Sequence, residues 1–489
     1  MVQTPSPPVA AGDEVGHVEV KGIAFIDPDE RHGRPFELFT LWFTSNLSYL
    51  YILFGGLLIL FGLSLIQAIA VVLIGNLFYF LVGAIATTGP AFGTSTVNIS
   101  RVMYGSVGNR IFGAGLTWLL IVCFEAINLS IGALAGFALL ADAGIEVTTF
   151  AKVLVLLVVA GGTFTLSILG HATIIRATAI FAAIMAVGAV VLFGFVLGHA
   201  HYDYQPASGG ASLATVFIGL TLIASGPLTW VNVPADYARY LPRNASRWAI
   251  LGWTTLGGYL SSSFLAIVGV LAGSAVDMTD PQTSMKDIMP GWFYPVFLVL
   301  IVVGTCFNNS AGIYSSGLAL QAIGVKARRS RTVLLDCIIG GALTAYALFV
   351  SDFLTTLNSF LVLAEVWLAP YAGVFLAYLI IHWTRDRTTP SAEQYGRLAS
   401  VEKIVPPGVV AIVVGSVCAF LFANTAYWHG PFSVVLDGAD LSPYVGILVG
   451  GGVYYLLDRL AGQRKYTPGA TRPASARAEP SSDPARMEA

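Results

Sequence analysis

The chain has 489 residues, of which 56% are hydrophobic and 11% charged, and its mean hydropathy is +0.76. Soluble domains carry roughly 25% charged residues, so composition excludes a water-soluble fold. The net charge of −2 points to neither nucleic-acid nor membrane-surface binding.

The first 35 residues are polar and contain prolines, without a basic segment, short apolar core and small-residue cleavage site. Nothing there resembles a removable signal peptide, so the first apolar span is expected to stay in the membrane. Crossing a hydrocarbon core of roughly 30 Å takes about 20 residues of helix. By that ruler, spans are expected near 38–62, 66–88, 111–140, 152–170, 172–198, 213–237, 248–273, 291–322, 332–350, 354–383, 407–426 and 442–460. The reading is an all-α membrane protein of about twelve transmembrane helices. Only Gly170, His171 and Arg176 interrupt the apolar stretch 152–198, and a turn is required there to keep the count even.

Lys and Arg are retained on the cytoplasmic side. On this topology one side receives Arg31, Arg34, Arg101, Arg110, Arg239, Arg243, Arg247, Lys326, Arg328, Arg329, Arg331, Arg397 and Lys403, together with the basic C-terminal segment. The opposite side receives Lys152 and Lys286 among Asp142, Glu146, Asp203, Asp277, Asp280, Asp287, Asp437 and Asp440. Both termini are therefore expected in the cytoplasm and the chain in the inner membrane, with a disordered tail rich in Pro, Ala, Ser and Arg. Cys123, Cys306, Cys337 and Cys418 lie in apolar runs without metal-ligand spacing and read as small buried hydrophobes. No metal site and no cofactor are expected.

Two spans carry helix-breaking residues. The first contains Thr44-Ser45-Asn46-Leu47-Ser48 followed by Gly55-Gly56, and the sixth contains Ser225-Gly226-Pro227 followed by Pro234. Lipid offers no partner to freed backbone groups, so unwound segments at membrane depth must line a cavity. Broken helices five spans apart are the pointer to an inverted-repeat transporter. Gly and Pro are also common in membrane helices generally, and either span alone would be read that way.

In the third span Phe124 and Asn128 share a helical face, an aromatic plane beside a carboxamide. That pair suits a flat heterocycle, stacked on the ring and hydrogen-bonded at its edge; a helix-to-helix contact by Asn128 is the equal alternative. The eighth span carries Asn308-Asn309, which point about 100 degrees apart on a helix and so are not expected to face one ligand together. Glu125 and Glu365 sit within apolar spans, where ionisable groups usually mark ion pathways, and permanently neutral or paired carboxyls are the alternative. Asp236, close to Arg239, reads as half of a structural ion pair.

Several stretches together resemble the nucleobase–cation symporter-1 family in its purine-cytosine permease branch. They are Glu30-Arg31-His32-Gly33-Arg34-Pro35-Phe36, Gly89-Pro90 through Ser100-Arg101, Gly105-Ser106-Val107-Gly108, Ala235-Asp236-Tyr237-Ala238-Arg239-Tyr240-Leu241-Pro242, and the run from Asn308-Asn309 to Leu320-Gln321. The resemblance implies a five-plus-five inverted-repeat (LeuT-like) core plus two peripheral helices. On that plan residues 1–36 form a polar cytoplasmic segment, 37–200 the first repeat, 201–385 the second, 386–462 the two added helices and 463–489 the tail. Substrate is implied between spans one, three, six and eight. By position Phe124 falls where an aromatic stacks on substrate, Asn128 matches the polar amide of span three, and Ser48, Gly226 and Pro227 fall at the breaks. The hydantoin carrier of this fold has a stacking Trp at the Pro227 position; here the nearest is Trp230. Asn308 and Asn309 match the double amide of the branch, and Gly312 replaces a later Asn of relatives.

A sodium site in this fold resembles carbonyls of the span-one break plus two span-eight hydroxyls, and the aligned positions here are Thr44 and Leu47 with Val303, Cys306 and Phe307. Cys and Phe side chains offer sodium no hard oxygen ligand, which favours a proton as coupling ion, with Glu125 or Glu365 as carrier. The expectation is a proton-coupled importer of cytosine or a related base. The alternative is a permease for hydantoin, allantoin or a thiamine-precursor pyrimidine, with sodium coupling as a variant. No HExxH, GxSxG or paired-carboxylate cluster supports an enzyme. Oligomeric state stays open.

Overall fold

The computed structural model describes residues 22–168, 171–206, 211–326, 329–350 and 353–461. Residues 1–21 of the polar N-terminal segment, and the stretch 462–489 that holds the expected disordered tail, lie outside them. Helices occupy every stretch read as a span. Span one is Phe36–Ser45 plus Tyr49–Leu60, bent by 59° at the break, and span two is Leu65–Phe92. Span three is Arg110–Asp142. Spans four and five are Thr149–Ile168 and His171–His199, so helix ends flank residues 169–170, where the turn is expected. Span six is Leu213–Leu228, continued after a non-helical gap by Pro234–Ala238. Spans seven and eight are Arg247–Gly273 and Phe293–Ile323. Spans nine to twelve are Arg329–Phe349, Phe353–Thr388, Pro406–Phe422 and Ser442–Ala461. Among the described residues seven helices are long and apolar enough to cross a membrane, and the bent pair of span one makes an eighth.

The first halves of the two repeats meet through small residues. A Cβ on Gly55 would lie 2.0 Å from the Ala266 carbonyl oxygen, and one on Gly269 would lie 2.1 Å from that of Ile52. Without side chains at these points spans one and seven pack backbone to backbone, as helices do where lipid provides no hydrophobic drive for association.

Residues 22–34, read as part of a polar segment whose Glu30–Arg34 stretch shares in the family resemblance, are tied to the bundle. The Arg31 guanidinium is buried and donates to the carbonyls of Ile26 (3.0 Å) and Pro90 (2.8 Å) and to the Ser391 hydroxyl (3.2 Å). The Ile23 amide donates to Gln321 of span eight (3.2 Å), and the Thr94 hydroxyl donates to the Ile23 carbonyl (2.7 Å).

The expected ion pair of Asp236 with Arg239 does not form. The Asp236 carboxylate instead accepts from the amide (2.7 Å) and hydroxyl (3.0 Å) of Thr96, the first residue of a short helix after span two. Arg239 reaches the Gly22 carbonyl (2.5 Å) and the Tyr314 hydroxyl (2.8 Å). Both residues are structural, but three positions apart on a short helix their side chains diverge to different neighbours.

Candidate substrate site

The two breaks open onto one cavity, bounded by spans one, three, six and eight with Leu361 of span ten. In span one the helix stops at Ser45, Asn46 leaves helical geometry (φ −107°, ψ 3°), and Ser48 restarts the helix by accepting from the Leu50 amide (3.3 Å). In span six Pro227 lies in the last turn of Leu213–Leu228, and helix resumes only at Pro234.

Of the expected binding residues, Ser48, Phe124, Asn128, Gly226, Trp230, Asn308 and Asn309 all border this cavity. Pro227 does not; it is buried in the helix and acts on the break itself. Phe124 stands edge-on to Phe360 of span ten, with ring centroids 5.2 Å apart. Trp230 stands edge-on to Trp42 at 5.3 Å, so the cavity has an indole in its wall although the Pro227 position carries none.

The amides are more committed than their spacing suggests. Asn128 donates to the Phe124 carbonyl one turn back (3.1 Å), which uses one N–H of its amide on its own helix and leaves its oxygen and second N–H without a described partner. Asn309 donates to the Glu125 carbonyl (3.1 Å), and Asn308 donates to the Ser45 carbonyl at the span-one break. The 100-degree argument expected one of these two to leave the site. Both border it, because each side chain reaches across to a different neighbouring span and the cavity lies between those contacts.

Asn46 is the residue that spacing arguments passed over. It is completely buried, and its Oδ1 accepts from the hydroxyls of Tyr51 (2.8 Å) and Tyr79 (2.5 Å) and from the Trp230 indole (3.1 Å). Its NH2 donates to the Trp42 carbonyl (2.7 Å). One carboxamide in the break thus ties spans one, two and six together, and the asparagine inside Thr44-Ser45-Asn46-Leu47-Ser48 was the available signal.

At the aligned sodium positions the span-eight side chains Cys306 and Phe307 face away from the span-one break. Cys306 faces span four, its Sγ 3.6 Å from the Val159 carbonyl, and Phe307 stacks on Phe181 of span five at 4.4 Å. Val303 is half-buried, and the Thr44 hydroxyl donates to the Thr40 carbonyl (2.7 Å). Leu47 lines a second, mostly apolar cavity with Gly304 and Thr305. The span-eight side chain that meets a break carbonyl is Asn308, a donor rather than a ligand.

The two intramembrane carboxyls are both buried and neither Glu125 nor Glu365 has a hydrogen-bond partner on its carboxyl oxygens. Glu125 belongs to the cavity wall, but its carboxyl points to span nine, where a Cβ on Gly340 would lie 2.7 Å from the carboxyl carbon. Glu365 lies outside the wall, and its titratable neighbours are Asp440 and Tyr444 at the start of span twelve.

A sequence profile of the family described as permeases for cytosine/purines, uracil, thiamine and allantoin matches residues 25–450. The chain belongs to this family. YxlA of Bacillus subtilis (strain 168), whose name places it among the purine-cytosine permeases, is 23% identical over 460 residues, covering 90% of this chain and 96% of the relative. The purine-cytosine permease FCY22 of Saccharomyces cerevisiae is 22% identical over 483 residues, covering 90% and 85%. Among solved structures, MHP1, a nucleobase-cation-symport-1 family transporter in a closed conformation with bromovinylhydantoin bound, superposes with a TM-score of 0.73. It is 15% identical, with 90% of this chain and 95% of that one covered. At that identity the match speaks for the fold, a multi-pass helical membrane architecture with the inverted-repeat core. The protein is a permease, not an enzyme.

Proposed function

We propose that this permease imports a nucleobase, cytosine or a purine, across the inner membrane in symport with a proton, by alternating access around the cavity between the two breaks. The carrying observation is the composition of that cavity: two aromatic walls, Phe124 and Trp230, with the carboxamides of Asn128, Asn308 and Asn309 at its border, each with an oxygen and a second N–H beyond its one bond to the backbone. Such a site stacks a planar ring and exchanges hydrogen bonds with the donors and acceptors at its edge. Ser48, Gly226, Asn308 and Asn309 complete the proposed binding set.

The span-eight side chains at the aligned positions support the proton over sodium. Cys306 and Phe307 turn to spans four and five and offer a sodium ion no oxygen. Glu125 and Glu365 are the proposed proton carriers. The division into repeats 37–200 and 201–385 with added helices in 386–462, and both termini in the cytoplasm, belong to the same proposal. A hydantoin, allantoin or thiamine-precursor permease is the runner-up, favoured by the breadth of the family's substrates and by Gly312, which leaves that part of the wall without a side chain.

Uptake of radiolabelled cytosine, adenine, uracil and allantoin into expressing cells tests the substrate. Cytosine or adenine is expected to be taken up, and Asn128→Ala to weaken that uptake about tenfold, the effect of a lost buried hydrogen bond of about 1 to 3 kcal/mol. Allantoin uptake alone would replace the substrate assignment. In vesicles, uptake is expected to follow an imposed inside-alkaline pH gradient and to persist when choline replaces sodium; strict sodium dependence would remove the proton.

A further inference from the structure

Glu125 touches the cavity wall but presents its carboxyl elsewhere. Neither Oε1 nor Oε2 has a hydrogen-bond partner, and the residue is 2% exposed. Span nine makes the room: Gly340 packs directly on the carboxyl group, with the Cys337 thiol beside it. One turn before Gly340 stands Asp336, which is completely buried. Asp336 accepts from the Trp118 indole of span three (2.8 Å) and from the Ser316 hydroxyl of span eight (2.7 Å). The two carboxyls are thus neighbours of opposite kind. Asp336 has an indole N–H and a hydroxyl aimed at its oxygens, whereas among the described residues Glu125 meets only the weakly donating Cys337 thiol.

The groups packed around the pair include no base among the described residues. Span nine presents Asp336 and Cys337 to Glu125, span eight presents the Asn309 amide, and span three presents the Trp118 indole to Asp336. An unpaired carboxylate is strongly disfavoured at this depth, and two adjacent carboxylates more so. The pair therefore accommodates at most one negative charge, and that charge is best held at Asp336, where the donors are.

We infer that Glu125 and Asp336 form one proton-binding site between spans three, eight and nine, outside the substrate cavity but sharing its wall. The inference rests on the proton-symport reading and gives it a location. A proton that binds the pair goes onto the Asp336 carboxylate and forms an O–H bond there while Glu125 keeps its own proton, so the pair passes from one negative charge to none and returns to one when that O–H bond breaks and the proton leaves. Asp336 lies seven residues into span nine, nearer than Glu125 to the end that carries Arg329 and Arg331. The link to substrate is short. Phe124 and Asn128 flank Glu125 on the cavity side, and Asn309 holds its carbonyl.

The test begins without substrate. Infrared titration of the purified protein follows the protonated-carboxyl bands, of which Glu125→Gln is expected to remove one component while that of Glu365 stays. Asp336→Asn, whose single side-chain oxygen keeps the bond from Trp118 or from Ser316 but not both, is expected to move the midpoint of the Glu125 component by about one pH unit or more, the mark of coupled sites. Asp336→Glu, which keeps the carboxyl, is expected to restore a coupled titration and guards against a folding defect in the Asn variant. In vesicles, Glu125→Gln and Asp336→Asn are each expected to lower pH-driven accumulation of cytosine about tenfold or more, while cytosine exchange changes by less than about threefold, because only the ion's differential hold on the two access states is lost. An unmoved midpoint in Asp336→Asn, or wild-type accumulation by it, overturns the shared site and leaves proton symport standing. Accumulation by the wild type that ignores pH overturns proton symport instead, and the titration then still decides whether the two carboxyls share a proton.

Discussion

In span one the chain leaves its helix at Asn46 and re-enters at Tyr49, and three side-chain donors close on a single amide oxygen within the gap. In span six the helix ends just after Gly226-Pro227, and the gap is shaped by what is missing there: an N–H on Pro227 and a side chain on Gly226. The two meet, because a Cβ on Gly226 would lie 2.8 Å from the Tyr51 ring and 3.0 Å from its hydroxyl oxygen. One break is held by a polar hub and the other by absent atoms that let the hub fit. Equivalent places in two repeats can therefore be broken by different chemistry, so long as the freed backbone borders a cavity rather than lipid.

Asn46→Ala is the strongest way to break that comparison. It strands the Trp230 indole N–H and one tyrosine hydroxyl, since Tyr51 and Tyr79 lie 2.6 Å apart and one can donate to the other, each stranded group costing about 1 to 3 kcal/mol. Uptake is expected to fall about a hundredfold or more, with a lower unfolding temperature of the purified protein. Near-normal uptake would mean that the hub does not set the break. Gly226→Ala comes next: the added methyl forces Tyr51 to move, a strain of about 1 to 3 kcal/mol, expected to cost about tenfold in uptake with expression retained. Trp230→Phe is the mildest. It keeps an aromatic wall and removes one bond to Asn46, worth about 1 kcal/mol, and so is expected to weaken apparent affinity about fivefold. A larger loss than from Gly226→Ala would make Trp230 more than a spoke of the hub.

Much of the architecture was legible because lipid leaves so few options. Backbone groups must be satisfied within each span, so apolar length alone located the helices, and Pro227 and the Thr44–Ser48 run marked the breaks. The cavity residues Phe124, Asn128, Asn308 and Asn309 followed from helical spacing and family resemblance. Spacing failed where it was asked for direction across helices. It separated Asn308 from Asn309 by angle, whereas each reaches a different neighbouring span around one cavity. The family resemblance, in turn, aligned Cys306 and Phe307 with sodium-site positions at the span-one break, whereas their side chains face spans four and five.

Glu125 and Asp336 mark where sequence ends and tertiary structure begins. Hydropathy identifies Glu125 as a carboxyl inside an apolar span, and its place beside Phe124 follows from chain order. Asp336 falls near the start of the span expected at 332–350, and nothing along the chain singles it out. That it is buried, bonded to Trp118 and Ser316, and one turn from the glycine on which the Glu125 carboxyl rests depends on which faces of three helices meet. Length and composition fix whether a segment crosses the membrane, because that is a property of the segment and its solvent. The partner of a buried charge is fixed by packing between segments more than 200 residues apart in the chain, and no local pattern encodes it.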